Sequence, residues 1–512
     1  MRYKFRKELK LITMYIGGLD VGTTGCKITL YNENGVFVHN EYKEYDVTRV
    51  NGEHEIDAAS IYSAVYEVIK QTAKKYKDIA AIGVTTFGET FAMLDENDNV
   101  LLPSMLYTDP RGSDEIKELC SILGEDKLTY ISGVKPHQMY SIAKIMWVKN
   151  NKPQIYDKVR HVLLMEDFIV YMLTGNAQID YSLAARTMAL DIRRKEWSKE
   201  ILDAAGIDIG IMSKLVPTGS KAGGLKPEIA ADLGLSENTF IINGCHDQVA
   251  SAIGAGVFEV GQAVDGTGTC ECVTPVFDTI PTNEALYNEG YSVVPFVFDG
   301  TYVCYALSFT GGAVLKWYRD NFAKYEAEAA NKNGENVYAV LDAKIPEKPT
   351  DILVMPHFAG AANPYMDNDS RAVMVGLTLE HTGSDVYKAL MEGITYEIML
   401  NIEHLESFGI KLNSLVATGG GATSPVWLQI KADILNRNIT SLAAGEAGAC
   451  GTCMLAATAV GICKDLYDAR SLFVKEKKTY IQNTDNVKLY DKRYKAYRKL
   501  YNTVNPIIKE YV

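Results

Sequence analysis

Residues 242–274 read INGCHDQVASAIGAGVFEVGQAVDGTGTCECVT. Phe240, Ile241 and Ile242 begin a short apolar strand, the polar tetrad Cys245, His246, Asp247 and Gln248 ends it, and an Ala/Gly-rich helix follows at once. The pattern places a carboxylate at the carboxyl end of a strand. In open α/β sheets ligands bind there, because strand ends and helix N-termini converge on one crevice. A second strand, turn and strand occupies residues 263–269, and its Asp265-Gly-Thr-Gly268 turn offers glycine amides and hydroxyls that suit phosphate. Taken alone, a strand-end Asp is more often a helix N-cap than a catalyst, and an isolated Gly-Thr-Gly turn says less still. The rest of the chain decides between these readings.

A chain of 512 residues is too long for one core and is expected to form two domains of about 250 residues each. Its 47% apolar and 23% charged residues are those of an ordinary globular protein. A net charge of −12 argues against nucleic acid or an anionic membrane as partner, since both require a basic face. Small metabolites fit better. The nine cysteines follow no framework spacing, and most lie in apolar or Gly/Ala-rich runs where a thiol packs as a small hydrophobe. A reduced, cytoplasmic protein is expected. Cys450 and Cys453 have a redox spacing, but the Ala-rich run around them reads as a packed helix. No stretch approaches the roughly 18 apolar residues of a membrane span. Residues 1–13 are basic but lack the apolar core and cleavage site of a secretory signal, and are expected to be a disordered leader outside the fold.

Taken in order, residues 15–19 and 27–31 read as strands around Asp20-Val-Gly-Thr-Thr-Gly25, and Asn34-Gly35 turns the chain into a third. The same outline returns 244 positions later, Gly22-Thr23 matching Gly266-Thr267. Two copies in a two-domain chain point to duplication, with one phosphate loop from each half facing a shared cleft. A helix over 59–76 leads into a buried strand over 79–84, which ends at Gly88 and Glu89, again a carboxylate at a strand end. Residues 180–197 read as strand and polar turn. Thr310-Gly311-Gly312 opens a helix whose free amides face a nucleotide. Residues 325–348 read as a surface excursion without order signals, 384–408 as a long amphipathic helix, and 415–417 as a strand delivering Gly419-Gly-Gly-Ala422 to a helix over 426–435. Lys, Arg and Tyr alternate over 486–501, which reads as a solvated helix.

Together, Asp20-x-Gly-Thr-Thr, Gly244-x-x-Asp247-Gln248, Asp265-Gly-Thr-Gly268, Gly376-Leu-Thr with Asp385 to Glu392, and Gly419-Gly-Gly-Ala422 with Trp427 and Lys431-Ala-Asp433 resemble, in order, the FGGY carbohydrate kinases. The resemblance implies an α/β protein with two duplicated ribonuclease-H-like domains of the actin/hexokinase superfamily, 14–256 and 257–505, flanking a catalytic cleft. Carried over position by position, it makes Asp247 the general base on the sugar hydroxyl and Asp20 the residue that organises Mg²⁺ through water. Thr23, Thr24 and Lys27 would hold the β- and γ-phosphates, Thr267, Gly268 and Gly311 would hold them from the other side, and Gly421 and Ala422 would lie along the adenosine of ATP. Glu89, Asp247 and Gln248 would hold the sugar. Phosphoryl transfer needs chiefly positioning, charge neutralisation and one base, which agrees with this set.

Substrate identity is expected to turn on Gly88. The glycerol-kinase branch of the family carries an Arg there, so Gly88 implies room for a larger polyol; the Met-His pair of the xylulokinase branch is also absent. Residues 15–20, 107–111, 144–147 and 184–191 resemble xylulokinases more closely. The expected activity is therefore ATP-dependent phosphorylation of a ketopentose. The alternatives are a kinase for ribulose, fuculose, gluconate or glycerol, and a non-catalytic sugar- or nucleotide-responsive module on the same fold. Expected partners are the sugar and ATP, with neither nucleic acid nor membrane, and a homodimer is the family habit.

Overall fold

The computed structural model describes residues 14–443 and 446–512, so the basic leader 1–13 lies outside the described residues. In the first half, β1 (Tyr15–Val21), β2 (Gly25–Asn32) and β3 (Phe37–Glu44) form an antiparallel meander, and α1 (Ala58–Lys75), capped by Asp57, leads into β4 (Ile79–Thr86). Later come α2 (Met165–Thr174), β5 (Lys221–Gly224), β6 (Phe240–His246) and α3 (Asp247–Gly254). The strands assemble in the order β5–β6–β4–β1–β2–β3, with β1, β4 and β6 parallel. These central strands are apolar along nearly their whole length because both faces of the sheet are covered. Ile16 and Ala81 face a cluster that runs on into the second half, while Leu19, Val21 and Ile82 face a cluster under α1 and α2.

The second half repeats this arrangement. It contains β7 (Gln262–Thr267), β8 (Glu271–Phe277), β9 (Tyr302–Cys304), β10 (Ala306–Ser308), α4 (Gly312–Phe322), α5 (Gly383–Ser407), β11 (Ser414–Thr418), α6 (Pro425–Leu435), β12 (Asn438–Leu442), α7 (Ala447–Ala459) and β13 (Glu476–Tyr480). The order β9–β8–β7–β11–β12–β13, with β7, β11 and β12 parallel, matches the first sheet over five strands and departs at the outer one, since β13 follows its neighbour β12 in the chain whereas β5 precedes β6. The expected duplication thus appears as topology, and the Gly22 and Gly266 turns both leave the first strand of their sheets. The equivalent helices α3 and α7 lie between the sheets. They approach so closely that a Cβ on Gly254 would fall 1.8 Å from Ala447 O, and one on Gly18 of β1 only 2.4 Å from Ala449 O.

Three segments differ from their sequence reading. Residues 180–197 are not mainly strand: Asp180 caps a short helix, Tyr181–Ala185, by accepting from the amides of Ser182 and Leu183, and a small hairpin follows. A capping carboxylate outweighs the apparent alternation. Residues 325–348 are not without order, because Lys324–Asn333 and Val337–Asp342 are helices, the second capped by Asn336. Helix α5 is buried on nearly every face rather than on one stripe, since it runs through the centre of the second half. The helical reading of 486–501 holds for Thr484–Tyr497, where the lysines are solvated, Arg493 is tied down to Thr350 O and Asp351, and Tyr490, Tyr494 and Tyr497 are buried.

Candidate active site

Asp247 is the first residue of α3, directly at the end of β6, and its side chain is 38% exposed to the cleft. A cavity of about 480 Å³ brings Asp20, Lys27, Asp247, Gln248 and Ser251 of the first half against Gly266, Thr267, Gly268, Cys270 and Thr418 of the second. Deep placement in the cleft walls raises the carboxyls of both Asp20 and Asp247 to about 6; Asp247 itself contributes to the rise at Asp20, whereas Arg186 tempers it at Asp247. Lys27 is paired with Glu446 at 2.8 Å, across the cleft. Thr23 and Thr24 stand on the β1–β2 turn and do not line this cavity.

Gly268 also lines a second, more apolar pocket of about 620 Å³, walled by Leu315, Tyr338, Ala339, Gly420, Gly421, Val426 and Trp427, with Asp342 as its one charged lining residue. The helix from the segment read as an unstructured excursion therefore forms one wall. The Gly268 turn is the joint between a polar cavity holding the carboxylates and a pocket of a size and character to take a nucleoside.

The geometry corrects several expectations for the phosphate turn. Thr267 is 1% exposed, and its hydroxyl accepts from Lys431 Nζ at 2.7 Å, so the side chain is directed into the protein. The same ammonium donates to Asp265 Oδ2 at 2.7 Å and lies 2.9 Å from Glu271 Oε1 as an ion pair, so one cation serves two buried carboxylates beneath the hairpin. Gly311 does not present a free amide. Its N–H donates to Thr269 O at 2.9 Å, and those of Gly312 and Ala313 donate to Gly268 O and Thr269 O, so the start of α4 pins the turn. Ala422 packs on the core rather than lining the pocket, whereas Gly421 does line it. A Cβ at Gly419 or Gly421 would meet Thr267 at 2.6 Å, so these glycines are needed for packing on the hairpin.

Gly88 does not leave open room. A Cβ there would lie 2.9 Å from Arg186 Cγ and 3.2 Å from His246 Cδ2, because Arg186 fills the space beside Glu89. Its Nε donates to Glu89 Oε1 at 2.7 Å, Nη2 pairs with the same oxygen, and both side chains are about 6% exposed. Burial opposes the guanidinium charge, but Glu89 and the rings of Tyr140 and Tyr305 hold its pKa raised. Glu89 has φ 63°, a conformation that costs a non-glycine residue about 1–3 kcal/mol and persists where neighbours over-determine it. Here Ser141 Oγ donates to Glu89 O at 2.6 Å. The helix Tyr181–Ala185 places Arg186, and Ser182 Oγ accepts from the His246 amide at 2.9 Å, so one short segment ties Glu89 to the end of β6.

Sequence reasoning did not identify Arg186, Tyr305, Lys431 or the role of His246. Arg186 lies in the run 184–191 and Lys431 beside Asp433, both noted as motif residues, but neither run by itself shows which distant side chain it meets.

Residues 15–254 match the N-terminal domain of the FGGY family of carbohydrate kinases, and residues 264–460 match its C-terminal domain. A xylulose kinase of Bacillus subtilis (strain 168) is 28% identical over 495 residues, covering 95% of this chain and 96% of its own. A gluconokinase of the same organism is 29% identical over 497 residues, covering 94% of each. The crystal structure of a gluconate kinase from Lactobacillus acidophilus superposes with a TM-score of 0.87 at 25% identity, covering 98% of this chain and all of that one. With both domains matched in order and the two-sheet architecture repeated, the chain is a sugar kinase and belongs to the FGGY family of carbohydrate kinases.

Proposed function

We propose that this chain, divided near residues 256 and 257, phosphorylates a ketopentose hydroxyl with ATP, in the manner of a xylulose kinase, with Asp247 as general base. The observation that carries the reading is the joint at Gly268, where the apolar pocket suited to adenosine meets the cavity holding Asp247. ATP laid along Gly421 with its phosphates over the 268–270 turn directs its γ-phosphate toward Asp247. The acceptor hydroxyl gives its proton to Asp247 as its oxygen bonds to the γ-phosphorus, and the bond from that phosphorus to the β,γ-bridging oxygen breaks, releasing ADP. Lys27, released from Glu446, and the backbone of the turn meet the phosphate charge.

Mg²⁺ fits the donor set on one condition. Among the described residues no cluster of three ligating side chains exists, so the ion would be held by phosphate oxygens and water with Asp20 alongside, as small hard cations commonly are. When bound, it neutralises charge on the transferring group. Asp20, facing Asp247 across the cavity, is the carboxylate placed to orient that water.

The Glu89–Arg186 pair favours a neutral sugar over an acid such as gluconate, because the buried guanidinium nearest Asp247 is already matched by a carboxylate. ADP release measured over xylulose, ribulose, gluconate and glycerol tests this. The expected order places a five-carbon ketose first, with kcat/KM for glycerol at least about tenfold lower, because hydroxyl-reading groups are left unpaired by the smaller polyol. Gluconate as the best substrate would overturn the choice of substrate, and no turnover of any of the four would revive the non-catalytic alternative.

A further inference from the structure

Phosphoryl transfer as described uses one carboxylate at the end of a row of polar side chains. The Tyr305 hydroxyl lies 2.9 Å from His246 Nδ1, and His246 Nε2 lies 3.3 Å from Asp247 Oδ1. The imidazole is fixed independently: its backbone N–H is held by Ser182, its side chain is 10% exposed, and its ring tilts against that of Tyr305 with centroids 5.4 Å apart. Burial, with the Arg186 charge adding to it, pulls the His246 pKa down to about 3, so the ring is neutral at physiological pH.

A neutral imidazole carries one N–H, and the neighbours decide where. A bare Nε2 lone pair facing Asp247 Oδ1 would set two acceptors against each other, so Nε2 bears the proton. Nδ1 is then an acceptor, and the Tyr305 hydroxyl is placed to donate to it. Tyr305 thus selects the tautomer that His246 presents to Asp247. The chain also crosses between halves, since His246 ends β6 whereas Tyr305 stands between β9 and β10.

We propose that Tyr305 and His246 are positioning residues, a relay that holds Oδ1 of Asp247 through an Nε2–H donor and leaves Oδ2 directed at the acceptor hydroxyl. The relay rests on the reading of Asp247 as general base. The ionisable groups facing this carboxylate are His246 and Arg186 on its own side, Asp20 at the end of β1, Tyr107 from the loop after β4, and Tyr305 and Cys272 from the second half, with Glu89 behind Arg186. Of these, His246 lies nearest Oδ1 at 3.3 Å, and the backbone and side chain of the non-ionisable Gln248 also stabilise the Asp247 carboxylate.

Three substitutions separate orientation from packing. Tyr305→Phe keeps the ring and deletes the donor, His246→Leu keeps bulk alone, and His246→Gln restores an amide N–H of similar reach. In steady-state kinetics against pH, Tyr305→Phe and His246→Leu are expected to lower kcat about tenfold, a part of what a positioned base contributes, with KM for sugar and ATP within about twofold. The acid limb of kcat/KM is expected to move to higher pH, because losing an N–H donor removes stabilisation of the carboxylate form. His246→Gln is expected to recover most of the rate and return the limb. Wild-type kcat with an unmoved acid limb in Tyr305→Phe and His246→Leu overturns the relay, and so does a change confined to KM. Thermal melts establish folding, and isosteric Tyr305→Phe carries the test if His246→Leu does not fold. Asp247→Asn separates the two claims: wild-type turnover there removes the base itself, whereas an inactive Asp247→Asn beside an unaffected Tyr305→Phe removes only the relay.

Discussion

Asp20 and Asp247 share one cavity, and the cost of keeping two carboxylates there can be measured apart from activity. The pKa of Asp20 is raised to about 6 from 3.8, by burial first and Asp247 second. A carboxyl whose folded pKa lies above its unfolded one lowers stability as pH rises between the two, and the loss is complete above the higher value. Asp20→Asn is therefore expected to raise the thermal midpoint at pH 8 while leaving it nearly unchanged at pH 4, even as it impairs Mg²⁺-dependent turnover. An equal rise at both pH values would assign the gain to something other than ionisation. At this scale the sequence was most informative about Asp20, Asp247 and Gln248, because each follows a strand end or turn whose pattern is local. It was silent on Arg186, which meets Glu89 across 97 positions, and so misplaced the consequence of Gly88. The missing cation returns from a helix that the strand-like alternation of residues 180–197 concealed.

Among the elements, the β7–β8 hairpin is held from below by Lys431 and from the side by the start of α4. Removing one partner from a buried ion group leaves an uncompensated charge and costs about 3–5 kcal/mol. Lys431→Met is expected to lose stability in that range by denaturant unfolding and to raise KM for ATP more than KM for sugar, because the turn it supports is the one proposed to carry the phosphates. A loss below about 1 kcal/mol, the range of exposed pairs, would contradict the buried network. The α3–α7 contact makes a second demand. A methyl at Gly254 has no space against Ala447 O, and overpacking of this kind costs about 1–3 kcal/mol. Gly254→Ala should show that cost in the same experiment, and an unchanged midpoint would mean the helices are free to separate. The hairpin and its glycines were legible as a motif. Their partners were not, because Gly311 reads equally well as an anion-binding amide until the carbonyls of Gly268 and Thr269 are seen to occupy it. Tyr305 has a similar history: Pro275 in β8 has no N–H to donate, the ladder to the neighbouring strand lapses between β9 and β10, and the residue at the lapse turns toward His246.

Across the molecule, two sheets that share a five-strand order place their first turns on either side of one cleft, and each contributes what the other lacks. The first brings Asp20, Glu89, Arg186 and Asp247, and the second brings the Gly268 turn and the apolar pocket. This division was visible as the repeat of Gly22-Thr23 at Gly266-Thr267, a pattern of local spacing that survives duplication. The pocket wall formed by Val337–Asp342 was not visible, because this short helix is ordered by its Asn336 cap and by the bonds that Tyr387 and Ser424 donate to Asp342 from distant parts of the chain. The central claim is that the cleft brings sugar and ATP together at Asp247, and the most direct measurement is kcat of Asp247→Asn beside calorimetric binding of each ligand. The account expects turnover to fall on the order of 10²–10⁴, the usual contribution of a positioned base, with sugar and ATP bound nearly as in the parent chain. Turnover near the parent value with both ligands bound would contradict it.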